Sequence, residues 1–220
     1  MMKQGVYVII PAFNEEQRIG DVVSKAKPYC QDVIVVDDGS LDKSFEAAER
    51  AGADCLKHIV NLGKGAATKT GCDYAFKQGA EIFVLMDGDG QHDASEIPRF
   101  LKALEKTDIV FGYRDLSHEM PGLFRLGNNF IQMMTGMMFG IRVNDPLSGF
   151  RAFKREAYQK IRWDSSDYFV ETEMIARVGK NRLSFEQIPI KTIYKDKYKG
   201  TTFLDGIKIF LHMLWWKMTR

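Results

Sequence analysis

Two carboxylates one residue apart, Asp87 and Asp89, close an apolar run in the stretch 83–93, FVLMDGDGQHD, with Gln91 and His92 directly behind them. The run 82–86 predicts a buried strand, because it is short, apolar and bounded by Gly79 and Gly88. In an open α/β sheet, ligands collect at the carboxyl ends of the strands, and alternate residues of an extended chain point the same way. Asp87 and Asp89 are therefore expected to face one site, where their mutual repulsion calls for a cation. Gly88 lets a bulky ligand approach the backbone, and Gln91 offers a neutral oxygen. This set suits a hard divalent ion carrying phosphate oxygens. A plain surface turn is the competing reading, since Asp-Gly is also a common hairpin pair.

The pattern recurs earlier in the chain. A strand at 33–36 ends in Asp37-Asp38-Gly39-Ser40, and a first strand at 6–11 runs into Ala12-Phe13-Asn14-Glu15-Glu16. Two neighbouring strands that end in paired acids imply a shared site. Locally, Asn14 reads as the cap of a helix over 17–27, and Asp38 or Asp42 as the cap of one over 45–50. Lys64 sits between Gly63 and Gly65 ahead of a helix through 70–78, whose exposed amides would attract an anion. The spacing GxxxxGK[ST] is absent, so this is no P-loop. No GxGxxG follows the first strand, which removes the main support for a dinucleotide fold. Collected, Asn14, Glu15, Asp37, Asp38, Lys64, Asp87, Asp89 and Gln91 combine carboxylates able to read a base or ribose with a pair able to hold a diphosphate through a metal. A nucleotide fits better than a bare metabolite.

The elements that must position these groups alternate strand and helix up to residue 86, with a third strand at 54–58, which argues for a mainly parallel sheet with helices on both faces. Beyond it, Ser95 is expected to cap a helix over 97–106, and a strand at 109–112 closes on Tyr113-Arg114. Residues 120–141 crowd Leu, Phe and Met between Arg125 and Arg142, as core or as a groove for varied apolar partners. Residues 144–151 are loop chemistry feeding a strand; Glu171 and Glu173 precede a helical pattern within 168–178, and 185–193 is a late strand. The tail 203–220 is amphipathic and ends in Trp215, Trp216, Lys217 and Arg220, suited to a membrane interface or to docking on the domain's own sheet.

Bulk properties narrow the classes. The chain has 220 residues, 45% hydrophobic and 27% charged, with a net charge of +2, an ordinary globular composition that gives no support to nucleic-acid binding. Cys30, Cys55 and Cys72 are odd in number and far apart, which fits reduced thiols and no zinc. No signal-peptide pattern and no membrane-length apolar run are visible, so a soluble or peripheral protein is expected.

The segments PAFNEE, VVDDGSLD, NLGKGAA and LMDGDGQHD, in that order, followed by GYRD, NDPLSGFRAF and IPIKTIY, resemble the inverting glycosyltransferases of family 2, with a GT-A fold. Within them the likeness is to dolichyl-phosphate mannose synthases and related polyprenyl-phosphate sugar synthases, and it covers nearly the whole chain. It implies a GT-A domain over 1–202 and a C-terminal amphipathic, membrane-interfacial helix over 203–220. Pro11, Ala12, Asn14, Glu15, Val36, Asp37 and Asp38 would seat the nucleoside. Lys64, Asp87, Gly88, Asp89 and Gln91 would meet the donor diphosphate, with Asp87, Asp89 and Gln91 holding Mg²⁺ or Mn²⁺. Arg114 would contact the sugar or the acceptor phosphate, Arg125 would hold that phosphate, and these two with Asp89 would carry catalysis. Arg151 falls among the implied substrate contacts. The family usually ends its site with an Arg and, six residues on, a Lys; here Lys195 and Thr201 stand near those places, with Lys197 and Lys199 as substitutes that lack the arginine fork.

The implied reaction moves mannose or another hexose, with GDP-mannose the favoured donor, onto dolichyl or polyprenyl phosphate with inversion. It would run at the cytoplasmic face of a membrane, the chain binding peripherally or through a membrane-protein partner. Alternatives are glucose or N-acetylhexosamine from a UDP-sugar, a soluble hydroxyl acceptor, or a non-catalytic nucleotide-sugar-binding subunit. A hydroxyl acceptor would require a general base, for which Asp145, Glu171 and Glu173 are the candidates.

Overall fold

The computed structural model describes residues 4–114, 122–167 and 169–191, with 122–130 as backbone. One seven-stranded sheet runs β3-β2-β1-β4-β6-β5-β7. Its strands are β1 (Val6–Ala12), β2 (Asp32–Asp37), β3 (Asp54–Lys57), β4 (Ile82–Leu85), β5 (Ile109–Arg114), β6 (Arg151–Lys154) and β7 (Phe185–Ile190). All neighbours pair in parallel except β6, which runs antiparallel to both β4 and β5.

β1 reads VYVIIPA, an unbroken apolar run, because both of its faces are covered. Val6, Val8, Ile10 and Ala12 pack on one side with α1 (Ile19–Ala26) and α4 (Ile97–Leu104); Tyr7 and Ile9 pack on the other with α3 (Lys64–Lys77), α6 (Arg155–Ile161) and α7 (Val170–Lys180). Two further helices, α2 (Ser44–Arg50) and α5 (Gly122–Phe139), complete the set among the described residues. The order of strands reverses at β1, which has β2 on one side and β4 on the other, so a crevice opens at the carboxyl ends of β1 and β4.

Several local expectations are corrected. Asn14 does not cap α1: it is left-handed (φ 56°), its N–H donates to Ser40 Oγ at 2.9 Å, and its Oδ1 accepts from Leu41 N at 3.0 Å. It ties the loop after β1 to the loop after β2. Asp42 Oδ1, not Asp38, accepts from Ser44 N at 3.0 Å at the start of α2. Asp93 rather than Ser95 caps the short turn Ala94–Glu96 that leads into α4, accepting from Ser95 N at 2.9 Å. α3 begins at Lys64 itself, earlier than the 70–78 pattern suggested. The methionine-rich stretch divides: Met134 and Met138 pack against Ile131, whereas Met133 and Met137 are exposed. The tail 203–220 and residues Lys195, Lys197, Lys199 and Thr201 lie outside the described residues, as does the side chain of Arg125.

Candidate active site

The first half of the crevice is made by the loops after β1 and β2. Asp37 is fully buried; its Oδ1 accepts from Ser40 N at 3.0 Å, and Lys57 Nζ stands 3.5 Å from Oδ2, which has no hydrogen-bond partner among the described residues. Asp38 accepts from Leu62 N at 2.9 Å and Gly63 N at 2.8 Å, and lies 2.6 Å from His58 Nδ1. His58 Nε2 in turn meets Thr70 Oγ1 at 3.0 Å. The carboxylate thus fastens the 61–63 segment beneath the crevice. Gly39 (φ 75°) is required here, since a Cβ would stand 2.6 Å from the backbone of Val60.

The second half follows β4. The strand stops at Leu85, so Asp87 and Asp89 lie on a turn rather than on extended chain. Asp89 Oδ1 accepts from Gln91 N at 3.0 Å, and Asp87 N donates to His92 Nδ1 at 3.1 Å. His92 stacks on Phe150 at 5.0 Å, and Phe150 on Phe100 at 4.5 Å, which buries the imidazole. Burial lowers its pKa against the pull of Asp87 and Asp89, favouring the neutral ring that accepts the Asp87 amide. Among the described residues no group of three or more His, Cys, Asp or Glu is arranged as a metal cluster.

The cation already present is Lys64. Its ammonium reaches Asp87 Oδ1 at 2.7 Å and Glu171 Oε1 at 2.9 Å. Burial would raise the Asp87 pKa, but Lys64 first and His92 next hold it at about 2. Lys64 itself is raised above its ordinary value, because the two carboxylates outweigh the cost of its burial. Gly149 makes the trio possible: a Cβ there would lie 2.7 Å from Asp87 Oδ1 and 2.9 Å from Lys64 Nζ. One amide at the start of α3 is already taken. Ala66 N donates to Ser166 O at 2.9 Å, and a Cβ on Gly63 or Gly65 would stand 2.5 Å from the Ser166 or Ser165 carbonyl. These glycines admit the backbone of the 165–167 segment.

The 144–151 loop supplies the far wall. Arg114 grips Asp145 with two bonds, Nε to Oδ2 at 2.6 Å and Nη2 to Oδ1 at 3.1 Å. Arg151 is 1% exposed and donates to three main-chain carbonyls, Ser148 at 3.0 Å, Glu171 at 2.7 Å and Pro146 at 2.8 Å. It binds the loop to the start of α7. A small cavity of about 10 Å³ lies among Pro11, Lys64, Asp87, Gly149, Arg151 and Glu171, closed by the apolar Leu85, Met86, Val170 and Met174.

Comparison with known proteins completes the description. The family model for glycosyl transferase family 2 matches residues 7–162. The chain belongs to glycosyltransferase family 2. A UDP-N-acetylglucosamine–dolichyl-phosphate N-acetylglucosaminyltransferase of Methanococcus voltae is 32% identical to it over 97% of this chain and 96% of that protein. A polyprenol monophosphomannose synthase of Mycolicibacterium smegmatis is 29% identical over 94% of this chain and 83% of that protein. In fold, the chain matches glucosyl-3-phosphoglycerate synthase of Mycobacterium tuberculosis, solved with Mn²⁺, UDP-glucose and phosphoglyceric acid, at a TM-score of 0.73 and 20% identity, covering 96% of this chain and 79% of that one. The GT-A fold expected from the motifs is thereby established.

Of the residues the glycosyltransferase was expected to use, Pro11, Lys64, Asp87 and Arg151 border one small cavity. Glu15 N–H donates to Ser44 Oγ at 2.7 Å, and Ala12 O accepts from Asp38 N at 2.8 Å. Val36 is buried core, and a Cβ added at Gly88 would stand 3.1 Å from Pro11 O. His92, Gly149 and the pairing of Glu171 with Lys64 were not anticipated. The glycine before Phe150 was the available signal, because a glycine closing a polar loop marks a close approach.

Proposed function

We propose that this glycosyltransferase moves a hexose from a nucleoside-diphosphate sugar onto a polyprenyl phosphate with inversion, mannose from GDP-mannose being the favoured donor. The observation that supports this acceptor is the commitment of the candidate bases. Asp145 is gripped by Arg114; Glu173 accepts from Asp164 N, Ser165 N and Arg177; and Glu171 holds Lys64. A sugar or protein hydroxyl must lose a proton in the transition state. A phosphate acceptor is already an anion and needs placement by cations instead.

Arg114 and Arg125 are assigned to placing that phosphate, and the loops carrying Asn14, Glu15, Asp37 and Asp38 to the nucleoside. The hard oxygens of Asp87, Asp89 and Gln91 fit Mg²⁺ or Mn²⁺, and Asp87 already holds one positive charge, that of Lys64. When bound there, the ion stabilises charge on the departing diphosphate as a Lewis acid. The relatives named for dolichyl-phosphate and polyprenol-phosphate transfer support the lipid acceptor, and the Mn²⁺ in the structural neighbour supports the metal. We place the work at the cytoplasmic face of a bilayer, reached peripherally or through a membrane-protein partner. Among the described residues no helix is long and apolar enough to cross a membrane. A second donor reading, N-acetylglucosamine from its UDP-sugar, is supported by the name of the 32% identical relative.

The test is to incubate the purified protein with Mn²⁺, a short polyprenyl phosphate and a panel of GDP- and UDP-sugars, and to detect glycolipid by mass. A glycosyl polyprenyl phosphate is expected, and the productive donor decides between the two readings. Transfer to soluble hydroxyls alone would overturn the proposal.

A further inference from the structure

Lys64 occupies an unusual place for a residue expected to touch only donor phosphate. Its ammonium sits between Asp87 Oδ1 at 2.7 Å and Glu171 Oε1 at 2.9 Å, with its side chain 21% exposed. An ammonium is a point charge that serves two carboxylates equally well. Without it, Asp87 and Glu171 would repel across the same small cavity that Gly149 leaves open. Two other groups lie near Asp87 as well, the His92 ring and the Arg114 guanidinium. Neither spans both carboxylates in the described structure, for Arg114 is committed to Asp145 and the His92 Nδ1 to a backbone amide.

We propose that Lys64 is a built-in counter-cation for Asp87 that a divalent ion must displace. The proposal rests on the reading that Asp87 is a metal ligand. An ion that takes Asp87 Oδ1 and an ammonium 2.7 Å from that same atom are like charges competing for one oxygen. Entry of the metal therefore turns Lys64 away from Asp87. Glu171 remains as its second anchor and keeps the ammonium in the crevice, available to a donor phosphate. The consequence is an ordered site: before loading, the acids are neutralised and held in place; with metal, the lysine's charge is released toward the substrate.

Mn²⁺ alone, without nucleotide, is titrated into the full chain and its variants and followed by electron paramagnetic resonance. Lys64→Met is expected to bind Mn²⁺ about tenfold more tightly than the wild type, and Lys64→Arg, which keeps a positive charge there, to stay near the wild type. Unchanged or weaker binding by a folded Lys64→Met overturns the proposal. Should that variant fail to fold, the wild type answers by itself: acetic anhydride labelling read by mass spectrometry is expected to modify Lys64 severalfold faster when Mn²⁺ is present, and equal rates overturn the displacement. A wild type that makes glycolipid with Mn²⁺ while its variant and labelling are unresponsive loses only this inference. A wild type that binds no Mn²⁺ loses the metal ligand as well.

Discussion

Arg114 and Asp145 meet edge to edge, Nε to Oδ2 at 2.6 Å and Nη2 to Oδ1 at 3.1 Å, and the carboxylate of that pair is buried. The arginine leaves β5 while the aspartate comes from the loop before β6, so the pair fixes a guanidinium against a loop distant in sequence. Asp145→Asn keeps the shape but weakens the fork. It is expected to lower kcat/KM for glycolipid formation about a hundredfold, the scale of a misplacement near 1 Å, with donor binding by calorimetry little changed. Equal loss of donor affinity would count against a role for Arg114 on the acceptor side.

Gly149→Ala places a methyl group 2.7 Å from Asp87 and 2.9 Å from Lys64, where no side chain fits without parting that pair. Transfer should fall by about tenfold or more. Gly20→Ala serves as the contrast, because its added carbon meets only Ala47 O at 3.6 Å within helix α1. That change should leave transfer untouched and stabilise the fold by about 0.5 kcal/mol through a less flexible unfolded chain, as read by denaturant unfolding.

Arg151 carries the main-chain carbonyls of Pro146, Ser148 and Glu171 with its guanidinium buried. Arg151→Met removes every donor and strands the three acceptors, at a cost of about 3 kcal/mol. A lowered Tm together with lost transfer is the expected result. Wild-type stability with transfer lost would make it a substrate contact instead.

Glu173 sets an acid limit on stability. Burial opposes its charge, but the Ser165 hydroxyl and amide, Arg177 and the Asp164 amide hold its pKa below the ordinary 4.5. A depressed carboxylate stabilises the fold fully above its unfolded pKa and loses that contribution as pH falls through the folded value. The wild-type Tm should therefore decline more steeply below pH 4.5 than that of Glu173→Gln. At neutral pH the variant should be less stable by about 2 kcal/mol.

What the sequence disclosed, it disclosed where neighbours in the chain decide the outcome. β1, β2 and β4 are continuous apolar runs, and the acids that close them, Asp37, Asp38 and Asp87, fall at one edge of the sheet as their spacing implied. Asp42, one of the two acids offered for the start of α2, does accept there, but Asn14 and Ser95, plausible caps by type, do not cap their helices, and only bonds such as Leu41 N to Asn14 show it. The antiparallel direction of β6 depends on pairing across the sheet with β4 and β5, which no local pattern encodes. Glu171 was legible as an acid before a helix, yet its partner Lys64 lies on another element far back in the chain.

The reversal of β6 has a geometric consequence. Leu85, at the exit of β4, pairs with Arg151, at the entrance of β6, so a segment arriving at the sheet and one leaving it share the same rim. The arriving segment is tethered at Arg151 but enters from α5, outside the loops that β1 and β2 send out. Insertions before residue 144 can therefore reshape one side of the strand ends while the loops after β1 and β2 keep their length and register, which gives the scaffold a route to change half of its rim without disturbing the other half.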